Sequence, residues 1–192
     1  MSRWQPDARG RLAQAAMELY GERGFEQTTV AEIATRAGLT ERTFFRHFAD
    51  KREVLFEGAA VLQARLVEGV VTAPEDAAPI EVVAAALRSI APIFAERRPF
   101  ARQRRAIIAA NPDLQERELI KLAALAAAVT TALHDRGVGE PEASLAAEAG
   151  IAVFRVGFER WVAAPHDGPA LDEVMGELFR SLAAVVGEAG AG

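Results

Sequence analysis

The stretch TTVAEIATRAGLTERTFFRHFADKREVLF, which covers Thr28–Phe56, decides the fold of this chain. Its first half places Thr29 three residues before Glu32, a spacing at which the threonine hydroxyl and the glutamate carboxylate cap the start of one helix. Val30 and Ile33 come next at helical spacing. The segment therefore predicts a short helix with one buried face.

A glycine turn joins this helix to a second one. Gly38 can adopt the positive φ that a three-residue turn requires, and Thr40 is placed to cap the next helix. Phe44 and Phe48, four residues apart, predict the buried face of that helix. Two short helices joined in this way form a helix-turn-helix, whose second helix enters the major groove of DNA.

Helix-forming residues dominate the rest of the chain, and Pro and Gly divide it into further helices. We expect an all-α fold with about nine helices and disorder in the last six residues. The predicted bounds are Asp7–Glu22, Thr29–Ala37, Thr40–Phe48, Asp50–Val71, Ile80–Arg97, Pro99–Ala110, Pro112–Arg136, Pro141–Ala163 and Leu171–Glu188.

Composition limits the function classes. The 192 residues include no cysteine, which excludes disulfides and thiolate metal sites. The net charge of −5 is unevenly distributed, because residues 1–52 hold nine basic and seven acidic side chains while the remainder is acidic. A basic N-terminal face can therefore bind phosphates. We see neither a signal peptide nor a membrane span and expect a cytoplasmic protein.

The stretch Thr28–Phe56 resembles the DNA-binding segment of the TetR family of regulators. The matching features are the paired threonines, the Ala-Gly turn, the Thr-aromatic-aromatic-X-His-Phe helix and the lysine after it. The resemblance covers about the first 56 residues. It implies a DNA-binding domain over residues 1–52, with phosphate and sugar contacts from Thr28, Thr29, Thr43, Phe45, His47 and Lys51. TetR relatives usually carry tyrosine at the position of Phe45, so we predict that Phe45→Tyr strengthens operator binding modestly.

Base reading falls to the exposed face of the recognition helix. An arginine can donate two hydrogen bonds to guanine and a glutamate can accept from cytosine, and Arg42 is our first choice of base reader. The simpler alternatives are that Glu41, Arg42 and Arg46 are ordinary solvated residues and that His47 is structural. The predicted DNA-binding set is Thr28, Thr29, Thr40, Glu41, Arg42, Thr43, Phe45, Arg46, His47 and Lys51.

Lys51 has a second, independent reason to bind phosphate. We expect it at the N-terminus of a long fourth helix, where free amides and the helix dipole attract anions. Thr29 and Thr40 are helix caps, a role that is compatible with a phosphate contact.

The resemblance also implies an effector-binding and dimerisation domain over residues 53–192. A mostly apolar pocket is the default for a hydrophobic or amphipathic effector, although core packing explains most of the same residues. The predicted lining is Leu62, Leu66, Leu87, Ile90, Phe94, Arg102, Arg105, Ile107, Leu122, Leu125, Phe154, Phe158 and Trp161. The five arginines within Arg97–Arg105 either form a solvated, acid-paired face or bind an anionic group such as that of an acyl-CoA.

Dimerisation through the last two helices is a further implication. The helix over Pro141–Ala163 carries a seam of small residues, and the helix after it an apolar stripe, although ordinary core packing explains the same residues. The seam is Ala146, Ala149, Gly150, Val153 and Gly157, and the stripe is Leu171, Val174, Leu178, Phe179, Leu182 and Val185.

The resulting hypothesis is a homodimeric repressor that a small effector releases from a palindromic DNA operator, without cofactor or metal. A transcriptional activator, a ligand-stabilised DNA binder and a ligand module without DNA binding remain alternatives. An enzyme is the rival from another class. The three histidines, His47, His134 and His166, stand without a recognisable nucleophile or metal partner, so we predict that the chain is not an enzyme.

Overall fold

The computed structural model describes residues 8–189, which fold into nine α-helices and two short 3-10 helices without any β-strand. The predicted all-α fold is thus confirmed. Of the last six residues, for which disorder was expected, residues 187–189 instead belong to the last helix, and residues 190–192 lie outside the described part. No helix of that part is long and apolar enough to cross a membrane. The α-helices are α1 Ala8–Arg23, α2 Val30–Arg36, α3 Glu41–His47, α4 Ala59–Val71, α5 Pro79–Ile90, α6 Arg98–Ala109, α7 Pro112–Asp135, α8 Glu142–Ala163 and α9 Leu171–Ala189.

Packing divides the described residues into two compact units. The N-terminal unit consists of residues 8–59 and 103–118, and the C-terminal unit of residues 60–102 and 119–189. The predicted boundary after residue 52 separates functions rather than packing units, and it stays a prediction.

The N-terminal unit has its own apolar core, to which α1, α2 and α3 each contribute one face. Leu12, Ile33 and Phe44 are fully buried there. Ile108 and Leu114, far along the chain, are buried in the same core, which is why the segment 103–118 belongs to this unit.

The helix predicted from Asp50 to Val71 is interrupted. Asp50 makes the expected contact to the backbone N–H of Glu53, which its Oδ1 accepts at 3.1 Å together with that of Arg52 at 2.8 Å. The element that follows is only the 3-10 helix Glu53–Phe56, whose N-cap residue is Arg52, and Gly58 at φ 87° separates it from α4. A left-handed residue cannot continue a right-handed helix, so α4 begins at Ala59.

A proline causes the second departure. The helix predicted over Ile80–Arg97 ends at Ile90 and continues as the 3-10 helix Ala91–Phe94. Pro92 has no N–H to donate, and its ring obstructs the carbonyl four residues earlier, so the α-helical pattern stops there.

Helices α5, α8 and α9 form the centre of the C-terminal unit. A Cβ at Gly150 of α8 would collide with the side chain of Val83 on α5. A Cβ at Gly157 would come within 3.2 Å of Met175 on α9. Four residues of the predicted seam, Ala146, Gly150, Val153 and Gly157, are therefore buried within this unit, while Ala149 is half-buried. Dimerisation through α8 and α9 stays a prediction.

Candidate nucleic-acid interface and effector region

Helix α3 divides its side chains between the core and the exterior. Thr40 caps its start by accepting from the backbone N–H of Thr43 at 3.2 Å. Phe44 and Phe48 are buried, with their rings 5.5 Å apart. The opposite face exposes Glu41, Arg42, Phe45 and Arg46.

Two arginines of this exposed face lack partners. The side chains of Arg42 and Arg46 form no hydrogen bond, ion pair or ring contact with any described residue, whereas those of the other described arginines of the N-terminal unit are engaged. The engaged groups include Arg9 with Glu57, Arg11 with the carbonyl of Ala37, Arg23 with Glu32, Arg36 with Glu18 and Glu22, Arg52 with Asp50, Arg104 with Glu118 and Arg117 with Glu53. The positive charge of α3 is thus available to an external anion.

The two threonines at the start of α2 have different roles. Thr29 is exposed and completes the predicted capping box, with Glu32 accepting from its backbone N–H at 2.9 Å. These hydrogen bonds lower the pKa of the Glu32 carboxyl. Thr28 is fully buried, and its hydroxyl donates to the carbonyl of Gly24 at 2.8 Å. The DNA contact expected from the Thr28 side chain is therefore corrected, because that side chain holds the turn before α2.

Two further predicted DNA contacts, Thr43 and His47, are half-buried, whereas Thr40 is exposed. The hydroxyls of Thr40 and Thr43 share a hydrogen bond of 3.0 Å, so either can still accept or donate elsewhere. The Nε2 atom of His47 is buried without a hydrogen-bond partner among the described residues. A phosphate contact from His47 would consequently require its other ring nitrogen, Nδ1.

Lys51 performs a task that its sequence position did not reveal. Its Nζ donates to the carbonyls of Phe25 at 2.9 Å, Thr28 at 3.0 Å and Glu26 at 3.2 Å, and lies 4.4 Å from the centre of the Phe25 ring. An ammonium has three donors, and all three are in use. The expected place of Lys51 at the start of a long helix is wrong, and its ammonium instead holds the turn between α1 and α2.

The predicted pocket residues mostly lie in one cluster. Leu62, Leu66, Leu87, Ile90, Phe94, Leu122, Leu125, Phe154, Phe158 and Trp161 all pack in the core of the C-terminal unit. Its aromatic part has contacting ring centres 5.4 to 6.3 Å apart and consists of Phe94, Phe154, Phe158 and Trp161. That these residues line an effector pocket stays a prediction, since close packing accounts for their burial.

Three residues predicted to line the pocket, Arg102, Arg105 and Ile107, lie outside this cluster. Ile107 is buried in the core of the N-terminal unit, so its assignment to the pocket is corrected. Arg105 belongs to the same unit. Arg102 donates to the carbonyls of Val162 at 3.0 Å and Ala164 at 2.6 Å, where it satisfies the last turn of α8.

Arg98 has a structural role that sequence reasoning missed. The residue is 6% exposed, and its guanidinium lies 4.9 Å from the ring centre of Trp161 and donates to the carbonyls of Pro165, His166, Gly168 and Pro169. These carbonyls belong to the loop between α8 and α9. The only sequence signal was the density of arginines around α6, which does not distinguish a buried guanidinium from a solvated one.

A cleft of about 410 Å³ opens between α4 and α5. Its lining is mixed, with an exposed ion pair between Arg65 and Glu68 at 2.9 Å. None of the predicted pocket residues lines this cleft, whose other walls are Gly69, Thr72, Ser89 and Ile93.

Apolar residues remain exposed on the outer faces of α8 and α9. On α8, Leu145, Ala149, Ala152 and Val156 recur at intervals of three or four residues and are exposed or half-buried. Such a spacing places them on one side of the helix. Val185 and Val186 are exposed near the end of α9.

A capped helix-turn-helix with unpaired guanidinium groups, followed by a helical unit with a separate core, defines the class of helix-turn-helix regulators. A family model of the bacterial regulatory proteins of the tetR family matches residues 12–57, and a model described as the MftR C-terminal domain matches residues 77–187. The chain belongs to the TetR family. That membership confirms the predictions of a transcription regulator and of a chain that is not an enzyme.

Curated relatives match only part of this chain. The HTH-type transcriptional regulator TcmR of Streptomyces glaucescens is 33% identical over 82 residues, which are 43% of this chain and 36% of TcmR. The HTH-type transcriptional repressor KstR2 of Mycobacterium tuberculosis is 41% identical over 49 residues, 26% of this chain and 24% of KstR2. The chain thus aligns with about a third or less of either relative.

Solved structures match over nearly the whole chain. FadR of Thermus thermophilus, a TetR-family transcriptional repressor in complex with lauroyl-CoA, is 27% identical with a TM-score of 0.54, covering 90% of this chain and 91% of that one. FadR of Bacillus subtilis, in complex with stearoyl-CoA, is 18% identical with a TM-score of 0.62, covering 89% and 95%. At 18% identity the second likeness shows the fold alone.

Proposed function

We propose that this protein is a homodimeric DNA-binding repressor of the bacterial cytoplasm that releases a palindromic operator when it binds an amphipathic effector. The observation that carries DNA binding is the pair of unpaired arginines, Arg42 and Arg46, on the exposed face of a capped recognition helix. The neighbouring arginines have partners within the protein, whereas these two do not. Phosphates and base edges of DNA would supply their partners.

Selection from a random duplex library, followed by a titration of the enriched duplex, tests DNA binding. We expect Arg42→Ala to weaken binding by about 1–3 kcal/mol and to relax the base preference at one position of each half-site. Arg88→Ala removes the same charge from an exposed position of α5 and serves as the matched control. Failure to enrich any sequence, or equal effects of the two variants, would contradict the proposal.

The proposed effector is a long-chain acyl-CoA. The support is the likeness to Thermus thermophilus FadR, which binds lauroyl-CoA, together with the apolar and aromatic core of the C-terminal unit. An acyl chain suits such a lining, whereas the coenzyme A moiety requires cations nearer the surface. Arg97 is exposed and has no partner among the described residues, so it is the candidate cation of the Arg97–Arg105 group.

The class of effector is tested by adding lauroyl-CoA, lauric acid or free coenzyme A to the protein–duplex complex. We expect release by lauroyl-CoA alone, because release requires a ligand that binds one conformation of the protein better than the other. Tighter DNA binding would instead identify a ligand-stabilised binder. No effect from any of the three would reject the acyl-CoA assignment while leaving DNA binding intact.

A further inference from the structure

An apolar ring occupies the centre of the exposed face of α3. At 100° per residue, Phe45 lies between Glu41 on one side and Arg42 on the other, with Arg46 beyond Arg42. The Phe45 side chain is 56% exposed. Its ring meets Phe44 edge to face, with centres 5.5 Å apart and planes at 83°. The buried neighbour thus restrains the ring while leaving much of it open to solvent.

Core packing does not require this exposure. Phe44 and Phe48 already form the buried face of α3, and Phe45 lies beside that face and remains exposed. The ring also lacks a hydrogen-bond donor, so it cannot anchor a phosphate oxygen. Among the base edges in the major groove, the C5-methyl group of thymine is the apolar one. A ring flanked by residues able to read base edges is placed to contact that methyl group.

We propose that Phe45 reads a thymine methyl group in each half-site, next to the base pair read by Arg42. This inference rests on the proposed DNA-binding function and adds a base preference to it. The ring covers the methyl group and excludes water from it, while the guanidinium of Arg42 hydrogen-bonds to the adjoining base edge. Phe45 is then a specificity-determining residue rather than an anchor on the DNA backbone.

Replacing single thymidines by deoxyuridine in a duplex enriched by the protein tests the inference, because this change removes the methyl group alone. For the wild-type protein we expect one substitution per half-site to weaken binding about fourfold, the effect of exposing one buried methyl group. Substitutions at the other thymidines should leave the affinity unchanged. Binding is measured by fluorescence anisotropy of the labelled duplex.

Phe45→Ala provides the matched variant, since an exposed side chain can be shortened without opening the core, and its thermal unfolding is compared with that of the wild type. We expect this variant to bind more weakly and to respond equally to thymidine and deoxyuridine. Phe45→Tyr keeps the ring and should restore the methyl sensitivity.

Three results overturn the inference without touching DNA binding. The first is that no deoxyuridine substitution changes the affinity of the wild-type protein. The second is that Phe45→Ala still binds the thymidine duplex more tightly than the deoxyuridine duplex. The third is that the enriched half-site has no thymine beside the position that Arg42 reads. Failure to enrich any duplex would instead reject the proposed function itself.

Discussion

Arg98 places a nearly buried guanidinium among main-chain carbonyl oxygens of the loop between α8 and α9 and against the face of Trp161. Truncation would remove the donors of those carbonyls, and a hydrogen bond to a charged group contributes about 1.5–3 kcal/mol. Because the loop can relax, we expect Arg98→Ala to lower the free energy of unfolding by about 2–4 kcal/mol, measured by urea denaturation.

Two variants make that measurement specific. Arg98→Lys should recover only part of the loss, because a compact ammonium cannot span the acceptors that a planar guanidinium reaches. Arg97→Ala removes the neighbouring exposed charge and should change stability by less than about 0.5 kcal/mol. Equal effects at the two positions would show that the carbonyl contacts of Arg98 contribute nothing specific.

A hydroxyl on Phe45 is expected to strengthen operator binding. Phe45→Tyr keeps the exposed ring and adds a donor that can reach a phosphate oxygen at the edge of the groove. The net gain of one hydrogen bond, about 0.5–1.5 kcal/mol, corresponds to a dissociation constant a few-fold lower, measured by titration of the selected duplex. Unchanged or weaker binding would refute the prediction.

Residue roles that depend on local spacing were predictable from the sequence, and those that depend on distant partners were not. The capping of α2 by Thr29 and the burial of Phe44 result from intervals of three and four residues. The binding of Lys51 to carbonyls 23 to 26 residues earlier, and the burial of Thr28, depend on how the turns meet. No local sequence pattern predicts these contacts between turns that are distant in the chain.

At the scale of elements, helix ends were predicted well where a proline or a capping residue marks them. The bounds of α6 to α9 differ from the expected ones by at most one residue at either end. The interruptions at Gly58 and Pro92 were passed over because apolar periodicity continues across both. A short left-handed or proline-induced break changes the backbone without changing the pattern of buried residues.

The junction of α7 and α8 contains a proton-dependent link. The Nδ1 atom of His134 lies 2.9 Å from the carbonyl of Val138, and Nε2 lies 3.0 Å from a carboxylate oxygen of Glu140, which also accepts from Ser144. Both partners of the ring are acceptors, so only the imidazolium can donate to both. The carbonyl of Val138 and the carboxylates of Glu140 and Asp135 raise the pKa of His134.

Stability should therefore depend on pH through His134. A pKa raised in the folded state gives a contribution that is complete below the unfolded value, about 6.5, and disappears as the pH rises through the folded value. We expect His134→Gln to lower Tm more at about pH 6 than at about pH 9. The same change at His166, an exposed loop position, is the control. An NMR titration that places the pKa of His134 at or below its unfolded value would contradict this account.

At the scale of the whole molecule, a palindromic operator requires two recognition helices related by a two-fold axis. Because Gly150 and Gly157 of the small-residue seam pack inside their own unit, we propose that a partner binds the outer stripe of α8, which is Leu145, Ala149, Ala152 and Val156. We expect Ala152→Arg to convert the proposed dimer to a monomer in light scattering and to abolish high-affinity operator binding. A charge buried without a partner opposes association at this interface.

Two comparisons decide whether α8 is the dimer interface. Ala85→Arg, at an exposed position of α5, should leave the protein dimeric and able to bind DNA. Helix α7 offers the rival surface, since Leu119 and Ile120 are also exposed. If Ala152→Arg stays dimeric while Ile120→Arg becomes monomeric, the partner binds α7 and the assignment to α8 is wrong. If only Ala152→Arg becomes monomeric, the two-fold axis lies beside α8, because an added charge then prevents association on that face only.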